Sequence, residues 1–80
     1  MMSKGEYRVG ITFNPSNDDM VGKIKRAAAD LIDLIEGIVP PDWSEDPLHA
    51  EISRLKALAQ TAVEEAAMWA VKAATKGPMV

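Results

Sequence analysis

The chain has 80 residues, a formal net charge of −3 and no cysteine, which fits one small domain. A core of this size seldom supplies more than ~3–5 kcal/mol, so small domains rely on disulfides, metals, association or regular helix packing. The lack of cysteine excludes disulfides, and a single histidine argues against structural zinc. The apolar fraction is 48%, much of it alanine, which buries little area per residue. Close helix contact and association between copies are therefore expected.

The charge and hydropathy patterns restrict the partners of the chain. Its mild acidity argues against a general DNA or RNA binder, which is usually strongly basic. No run of eighteen apolar residues exists, and residues 1–10 lack the apolar core of a signal peptide. We expect a soluble protein of a reducing cytoplasm with no membrane partner.

Residues 1–15 are predicted to form a mostly extended N-terminal arm. Apolar or aromatic side chains alternate with other residue types over a short stretch, the period of a β-strand. The alternating positions are Tyr7, Val9, Ile11 and Phe13.

The first of two predicted helices spans about residues 16–38. Ser16 or Asn17 can cap its first amides, and Asp18 and Asp19 complement the helix dipole. Gly37 and the prolines that follow end it. Its apolar stripe comprises Val21, Ile24, Ala28, Leu31, Ile35 and Ile38, with a flanking row of Met20, Ala27 and Leu34.

The second predicted helix spans about residues 46–76, with Ser44 or Asp46 as its cap and Pro47 in its first turn. Gly77 and Pro78 stop it. Two helices joined by a short proline-rich loop predict an antiparallel hairpin domain over residues 16–76. Its stripe, the strongest pattern in the sequence, comprises Leu48, Ile52, Leu55, Ala59, Ala62, Ala66, Trp69 and Ala73.

Further apolar side chains of the second helix lie off this stripe: Leu58, Val63, Met68 and Val71. A single hairpin would leave them in water. The fold class predicted is therefore an all-α two-helix hairpin with an extended arm, assembling as an obligate homo-oligomer.

Charge is divided along the chain. Residues 1–26 carry five basic and three acidic side chains, residues 27–51 seven acidic and none basic, and residues 52–80 four basic and two acidic. In an antiparallel hairpin the basic groups collect at the open end, together with Tyr7, Phe13 and Trp69. Cations beside aromatic rings suit a small anion with stackable bases. Taken alone, however, Lys23, Lys25 and Arg26 also fit a solvated helix face, and Trp69 fits a core position.

No catalytic or metal-binding constellation is present in the sequence. His49 has no nucleophile motif beside it, and the adjacent Glu64 and Glu65 point about 100° apart on a helix. The glycines form no phosphate loop. A buried Glu64 would need a partner such as Arg26 or Lys72. Binding without turnover, with no cofactor and no metal, is the expectation.

The run from Leu58 to Ala73, with its Thr61-x-x-Glu64-Glu65-x-x-Met68-Trp69-Ala70 motif, carries a family resemblance. Together with Phe13-Asn14-Pro15 it resembles the helical-hairpin domain of small bacteriophage proteins shared by the anti-CBASS cyclic-nucleotide sponge and one type of anti-Thoeris sponge. The resemblance covers about residues 7–76.

The resemblance implies a host-defence inhibitor in the host cytoplasm that sequesters a cyclic immune signal without cleaving it. It implies a hexamer, with cyclic dinucleotides at protomer interfaces and cyclic trinucleotides in separate pockets. It also implies a base stacked on Tyr7 and phosphates bound by Lys23 or Lys25, with Thr61 and Arg26 as candidates for a trinucleotide pocket. The ligand-binding residues predicted on this basis are Tyr7, Phe13, Asn14, Lys23, Lys25, Arg26 and Thr61.

Two alternatives stay open at this stage. The chain is either such a sponge or an oligomeric phage accessory that binds a host protein through its apolar helix faces. A nucleic-acid accessory that uses the basic open end is a third reading, which the acidic middle section disfavours.

Overall fold

The structure is a computed structural model that describes residues 1–43 and 45–79, and these contain three α-helices and no strand. The helices are α1 (Lys4–Val9), α2 (Asp19–Glu36) and α3 (Asp46–Ala74). Lys56 bonds the carbonyl of Glu36, whereas Gln60 bonds that of Ile32. Positions therefore rise along α3 as they fall along α2, so the pair is antiparallel. The all-α class predicted from the sequence is confirmed.

The extended arm predicted for residues 1–15 is wrong, because its first part forms α1. The Ser3 hydroxyl accepts from the Glu6 amide at 3.1 Å, and the Glu6 carboxylate accepts from the Ser3 amide at 2.8 Å. This reciprocal capping box starts a helix. Gly10 ends it in the left-handed region, at φ 63°. The alternation of apolar residues was too short to outweigh these two signals.

Helix α2 begins slightly later in the chain than the sequence predicts. Asp18, rather than Ser16 or Asn17, is the N-cap, and its carboxylate accepts from the Met20 amide at 2.7 Å. Gly37 follows the last helical residue. The observed helix Asp19–Glu36 compares with an expected span of about 16–38.

Helix α3 begins after Glu45, which makes no side-chain capping bond, and Pro47 lies in the first turn. Of the two caps predicted, Asp46 is the first helical residue and Ser44 lies outside the described residues. The helix ends at Ala74, with Thr75 as its C-cap, against an expected end near residue 76.

Helix α1 packs directly on α2 because Gly5 has no side chain. A Cβ atom placed on Gly5 would lie 2.1 Å from the carbonyl oxygen of Ala29. The Gly5 amide donates to the Asp33 carboxylate at 2.7 Å. A glycine is therefore required for this close approach.

The core of the fold is small and partly polar. Its buried residues on α2 and α3 are Val21, Lys25, Ala28, Ala29, Ile32, Gln60 and Ala67. The Gln60 amide donates to the Ile32 carbonyl and to Glu36, and its oxygen accepts from Lys4. One buried side chain thus joins all three helices with its polar atoms satisfied.

The α3 stripe predicted from the sequence, residues 48 to 73 at alternating spacing, forms the seam of the hairpin only near the loop, where Ile52, Leu55 and Ala59 line an apolar cavity with Ile35 and Ile38 of α2. Leu55 and Trp69 are 51% and 60% exposed, and Ala59, Ala62 and Ala66 are exposed. Trp69 is therefore not a core residue of the hairpin. Gln60 and Ala67 face α2 instead, because the bonds of Gln60 and the ion pair of Glu64 fix the rotation of the helix.

The α2 stripe is correct only in part. Val21 and Ala28 are buried as predicted, but Leu31 and Ile38 are exposed, and Lys25, Ala29 and Ile32 occupy the seam. The principal-axis extents are 57 × 29 × 12 Å, so the shortest axis is about one helix diameter. A layer one helix thick leaves apolar side chains uncovered on the hairpin. Within the described residues no helix is long and apolar enough to cross a membrane.

Candidate functional site

A cavity of about 410 Å³ lies where the end of α1 meets the C-terminal half of α3. Its volume is within the range of small-molecule sites. Apolar side chains and four charged ones form the wall. The lining residues, which define the apolar-basic cavity, are Arg8, Val9, Lys25, Glu64, Ala67, Met68, Val71 and Lys72.

The charges of the apolar-basic cavity favour an anion. Three cations, Arg8, Lys25 and Lys72, face one carboxylate, Glu64. Glu64 accepts a hydrogen bond from the Arg8 guanidinium at 2.8 Å. This bond uses one of the five N–H donors of Arg8. The Lys72 ammonium lies 5.6 Å from the centre of the Trp69 ring. A cavity with excess positive charge and an apolar wall suits an anion that also carries a flat or apolar group.

Lys25 is buried, with only 8% of its surface exposed, although lysine is seldom buried without a partner. Its ammonium donates to the Gly10 carbonyl at 3.0 Å and also to the Phe13 carbonyl. The Phe13 ring centre lies 5.4 Å away. The cation is thus held by carbonyl groups and a ring face.

A second, more open cavity of about 580 Å³ lies on the N-terminal part of α2. It contains three of the predicted site residues, Asn14, Lys23 and Arg26, together with Asp18, Asp19 and Asp30. We call it the acidic cavity, because its carboxylates outnumber its cations. The Arg26 guanidinium is occupied by Glu6 and Asp30, at 2.9 and 2.8 Å. These two carboxylates raise the pKa of Arg26, Glu6 being the larger cause.

The side chain of Asn14 makes its hydrogen bonds within its own loop. Its amide donates to the Asp18 carbonyl at 3.0 Å, and its oxygen accepts from the Ser16 hydroxyl at 2.9 Å. This arrangement fixes the turn that leads into α2.

The three remaining predicted residues line neither cavity. Tyr7 is 78% exposed on α1, and Phe13 is 70% exposed in the loop after it. Thr61 accepts a long bond of 3.4 Å from Arg8, and it does not line the cavity that contains Arg26. The structure therefore divides the predicted site: Lys25 lines the apolar-basic cavity, three residues line the acidic one, and three lie on the surface.

Sequence reasoning missed Arg8 as a site residue, and it named Lys72 only as a possible partner of Glu64. It identified Arg26 or Lys72 as the partner of Glu64, whereas the partner is Arg8. The spacing of Glu64, Met68 and Val71, which places them on one helix face, was the available signal. The helical arm that brings Arg8 to this face was the missing element.

The family model of the Acb2/Tad1 hairpin domain matches residues 5–75, nearly the whole described fold. The chain belongs to this family, which comprises non-enzymatic phage sponge proteins that bind cyclic nucleotides. The resemblance inferred from the sequence is therefore confirmed. No curated protein and no solved structure matches the chain.

Proposed function

We propose that this protein is a phage anti-defence sponge that sequesters a cyclic oligonucleotide immune signal in the host cytoplasm without cleaving it. Cyclic dinucleotides are the primary ligand class and cyclic trinucleotides the second. CBASS-type immunity is the system inhibited. The observation that supports this proposal best is the apolar-basic cavity, in a chain that belongs to a sponge family.

In this proposal Arg8 and Lys72 bind the phosphates. Arg8 retains donors beyond the one given to Glu64, and Lys72 is held near the cavity by the Trp69 ring. Val9, Met68 and Val71 offer an apolar surface to a base or ribose. Charge-assisted hydrogen bonds supply orientation, and the apolar wall supplies contact area.

The exposed aromatic rings of Tyr7, on α1, and Phe13, in the loop after it, supply the stacking surfaces in this proposal. A base stacked on such a ring contributes about 1–3 kcal/mol per base. Lys23, on the acidic cavity, is proposed to meet phosphates of a ligand that reaches it from a second copy. Asn14, Arg26 and Thr61 complete that proposed second site.

The proposal includes assembly as a homo-oligomer, most simply a hexamer. The hairpin is one layer thick and leaves large apolar side chains uncovered on both helices, among them Leu34, Leu55, Leu58 and Trp69. Burying such a surface between copies stabilises the assembly, and a ligand held at the seam stabilises it further by linkage.

A sponge acts by equilibrium. It must bind the signal more tightly than the host effector does, and its site concentration must exceed that of the signal. No bond in the ligand changes, so all bound ligand is recoverable intact.

The direct test is calorimetry of the purified protein with cyclic dinucleotides, cyclic trinucleotides and cyclic ADP-ribose isomers. Arg8→Gln and Lys72→Gln should each weaken binding about tenfold or more, since a charge-assisted bond is lost. Lys76→Gln is the matched control, because this exposed lysine lies beyond the end of α3 and outside the cavity lining. Equal affinity in all three variants would refute this assignment of the site.

Tyr7→Ala and Lys23→Ala test the residues implied by the family resemblance. Loss of nucleotide affinity with an unchanged assembly mass supports their role in ligand binding. Unchanged affinity in both would assign the ligand to the apolar-basic cavity alone.

The exposed apolar stripe of α3 also supports a second candidate, an accessory that binds a host protein through this surface. A monomer or dimer in light scattering that binds no cyclic nucleotide would favour this candidate. A larger homo-oligomer whose sites are saturated by a cyclic nucleotide would exclude the host-protein accessory.

A further inference from the structure

The Lys25 ammonium is bound by the loop between α1 and α2, at a turn formed by residues 10–13. The Gly10 carbonyl accepts from the Phe13 amide at 2.9 Å and from the Lys25 ammonium at 3.0 Å. The Phe13 carbonyl accepts from the same ammonium. One side chain of α2 therefore holds both ends of the turn.

No carboxylate pairs with Lys25 among residues 1–43 and 45–79. A buried ammonium is costly unless its hydrogen bonds are satisfied, and hydrogen bonds to an ionised donor are about twice as strong as neutral ones. The turn and the lysine therefore stabilise each other. Neutral carbonyls leave the positive charge of Lys25 uncancelled at the wall of the apolar-basic cavity.

The matched lysine two positions earlier behaves differently. Lys23 is exposed on the same helix, and it lines the acidic cavity instead. Burial, two carbonyl partners and the Phe13 ring distinguish Lys25 from it. Such a set of contacts fits a role within the protein better than a direct contact with phosphate.

We propose that Lys25 is a positioning residue of the nucleotide site, which fixes the turn of residues 10–13 on α2 and so holds Phe13 beside the apolar-basic cavity. This inference rests on the proposed function, because it assigns the turn a purpose in ligand binding. If the turn is already ordered in the free protein, ligand binding does not bear the entropic cost of ordering it. The affinity for the ligand is therefore higher.

Hydrogen exchange in the free protein tests the contact without any ligand. The amides of Ile11, Phe13 and Asn17 donate to the backbone carbonyls of Glu6, Gly10 and Asn14, so together they report the order of the loop and of its junction with α1. In Lys25→Met these three amides should exchange about tenfold faster, while the amides of α3 keep their rates. Lys25→Arg, which keeps the charge and its donors, and Lys23→Met should both match the wild type.

Unchanged exchange at the three amides in Lys25→Met would overturn the proposal, and so would equal acceleration throughout α3. If Lys25→Met fails to fold, Phe13→Ala provides a second variant. It removes only an exposed ring over the ammonium, and it should accelerate the same amides by a smaller factor.

Nucleotide affinity then tests the purpose of the contact. With a cyclic nucleotide that the wild type binds, Lys25→Met should bind roughly tenfold more weakly and Lys25→Arg should restore the affinity. Weakened affinity with unchanged exchange would mean a direct phosphate contact and overturn the positioning role. If the wild type binds no cyclic nucleotide, the proposed function fails, and the exchange experiment still decides whether Lys25 orders the turn.

Discussion

The guanidinium of Arg8 on α1 donates a 2.8 Å hydrogen bond to the carboxylate of Glu64 on α3, in the wall of the apolar-basic cavity. The pair connects the first and last helices of the chain. Both side chains are partly exposed, so its contribution to stability is at most about 1 kcal/mol. Its larger effect is on the charge of the cavity, because Glu64 is the only carboxylate among the described residues that line it.

Replacing Glu64 by glutamine should therefore strengthen nucleotide binding. Glutamine can still accept from Arg8, while the negative charge that opposes an anionic ligand is removed. We expect affinity to rise about threefold to tenfold at low salt, and less at high salt. Calorimetry checks this, with Glu65→Gln as the control because Glu65 lies outside the cavity lining. Weaker binding in Glu64→Gln would contradict the assignment.

Gly5→Ala should displace α1 from α2. The new Cβ atom would meet the Ala29 carbonyl oxygen, which is backbone and cannot move aside. We expect a loss of about 1–3 kcal/mol in the free energy of unfolding, as in overpacked cores. Gly22→Ala is the control, since nothing lies within 4 Å of its added Cβ. That helical substitution should stabilise the protein by about 0.5–1 kcal/mol. Urea unfolding measures both, and equal effects would contradict the packing described.

Gln60→Leu should destabilise the hairpin although it adds apolar volume. Gln60 is 2% exposed, and its side chain makes hydrogen bonds to Ile32, Glu36 and Lys4. Leucine leaves these groups without that partner, which costs about 1–3 kcal/mol. Thr61→Leu, at the exposed neighbouring position, should change the free energy of unfolding by less than about 0.5 kcal/mol. A stabilised Gln60→Leu protein would show that the polar junction is dispensable.

Stability should fall with acid below about pH 4.5. The Ser3 amide, followed by Arg26, lowers the pKa of Glu6 to about 2, and Gln60, followed by Lys4, lowers that of Glu36 to about 2. Their unfolded pKa is higher, so between the two values the unfolded chain binds more protons and acid favours unfolding. The stabilising contribution is complete above about pH 4.5 and lost as pH falls towards 2.

Thermal melting between pH 6 and pH 2 measures this dependence. The double variant Glu6→Gln/Glu36→Gln should show a shallower decline in Tm over the acidic range than the wild type. An identical decline in both proteins would mean that other groups control acid unfolding.

Leu55→Asp should dissociate the proposed oligomer. Leu55 is half-exposed in the α3 stripe, so a charge there is tolerated by the protomer and not by an apolar seam between copies. Sedimentation velocity should show a smaller species, with helix content retained. Ser53→Asp, at an exposed position on the same helix, is the control and should keep the assembly mass. An unchanged mass in Leu55→Asp would exclude this part of the stripe from the interface.

The sequence was sufficient for the hairpin because helix stops and heptad spacing are local signals. Gly37 and Pro47 marked the loop between the helices, and the long alternation after Leu48 marked α3. The rotation of α3 was not local. It depends on Gln60 and Glu64, polar residues whose partners lie 24 or more positions away in the chain.

The sequence indicated the chemical class of ligand for the candidate site, but it did not indicate which residues line that site. Cations and aromatic rings near the open end pointed to an anion with bases, but the helical arm that brings Arg8 to Glu64 was read as extended. Lys23 and Lys25 were equivalent in the sequence. Only packing separates them, because Lys25 is turned towards the core and Lys23 towards solvent.

The most direct test of the sponge proposal is calorimetric titration with the cyclic nucleotide panel, followed by heat release and chromatography of the ligand. We expect saturable binding of a cyclic nucleotide, weakened in Arg8→Gln and Lys72→Gln, and recovery of the ligand intact. No binding across the panel by the folded protein would contradict the sponge proposal, and recovery of a cleaved product would show an enzyme instead of a sponge.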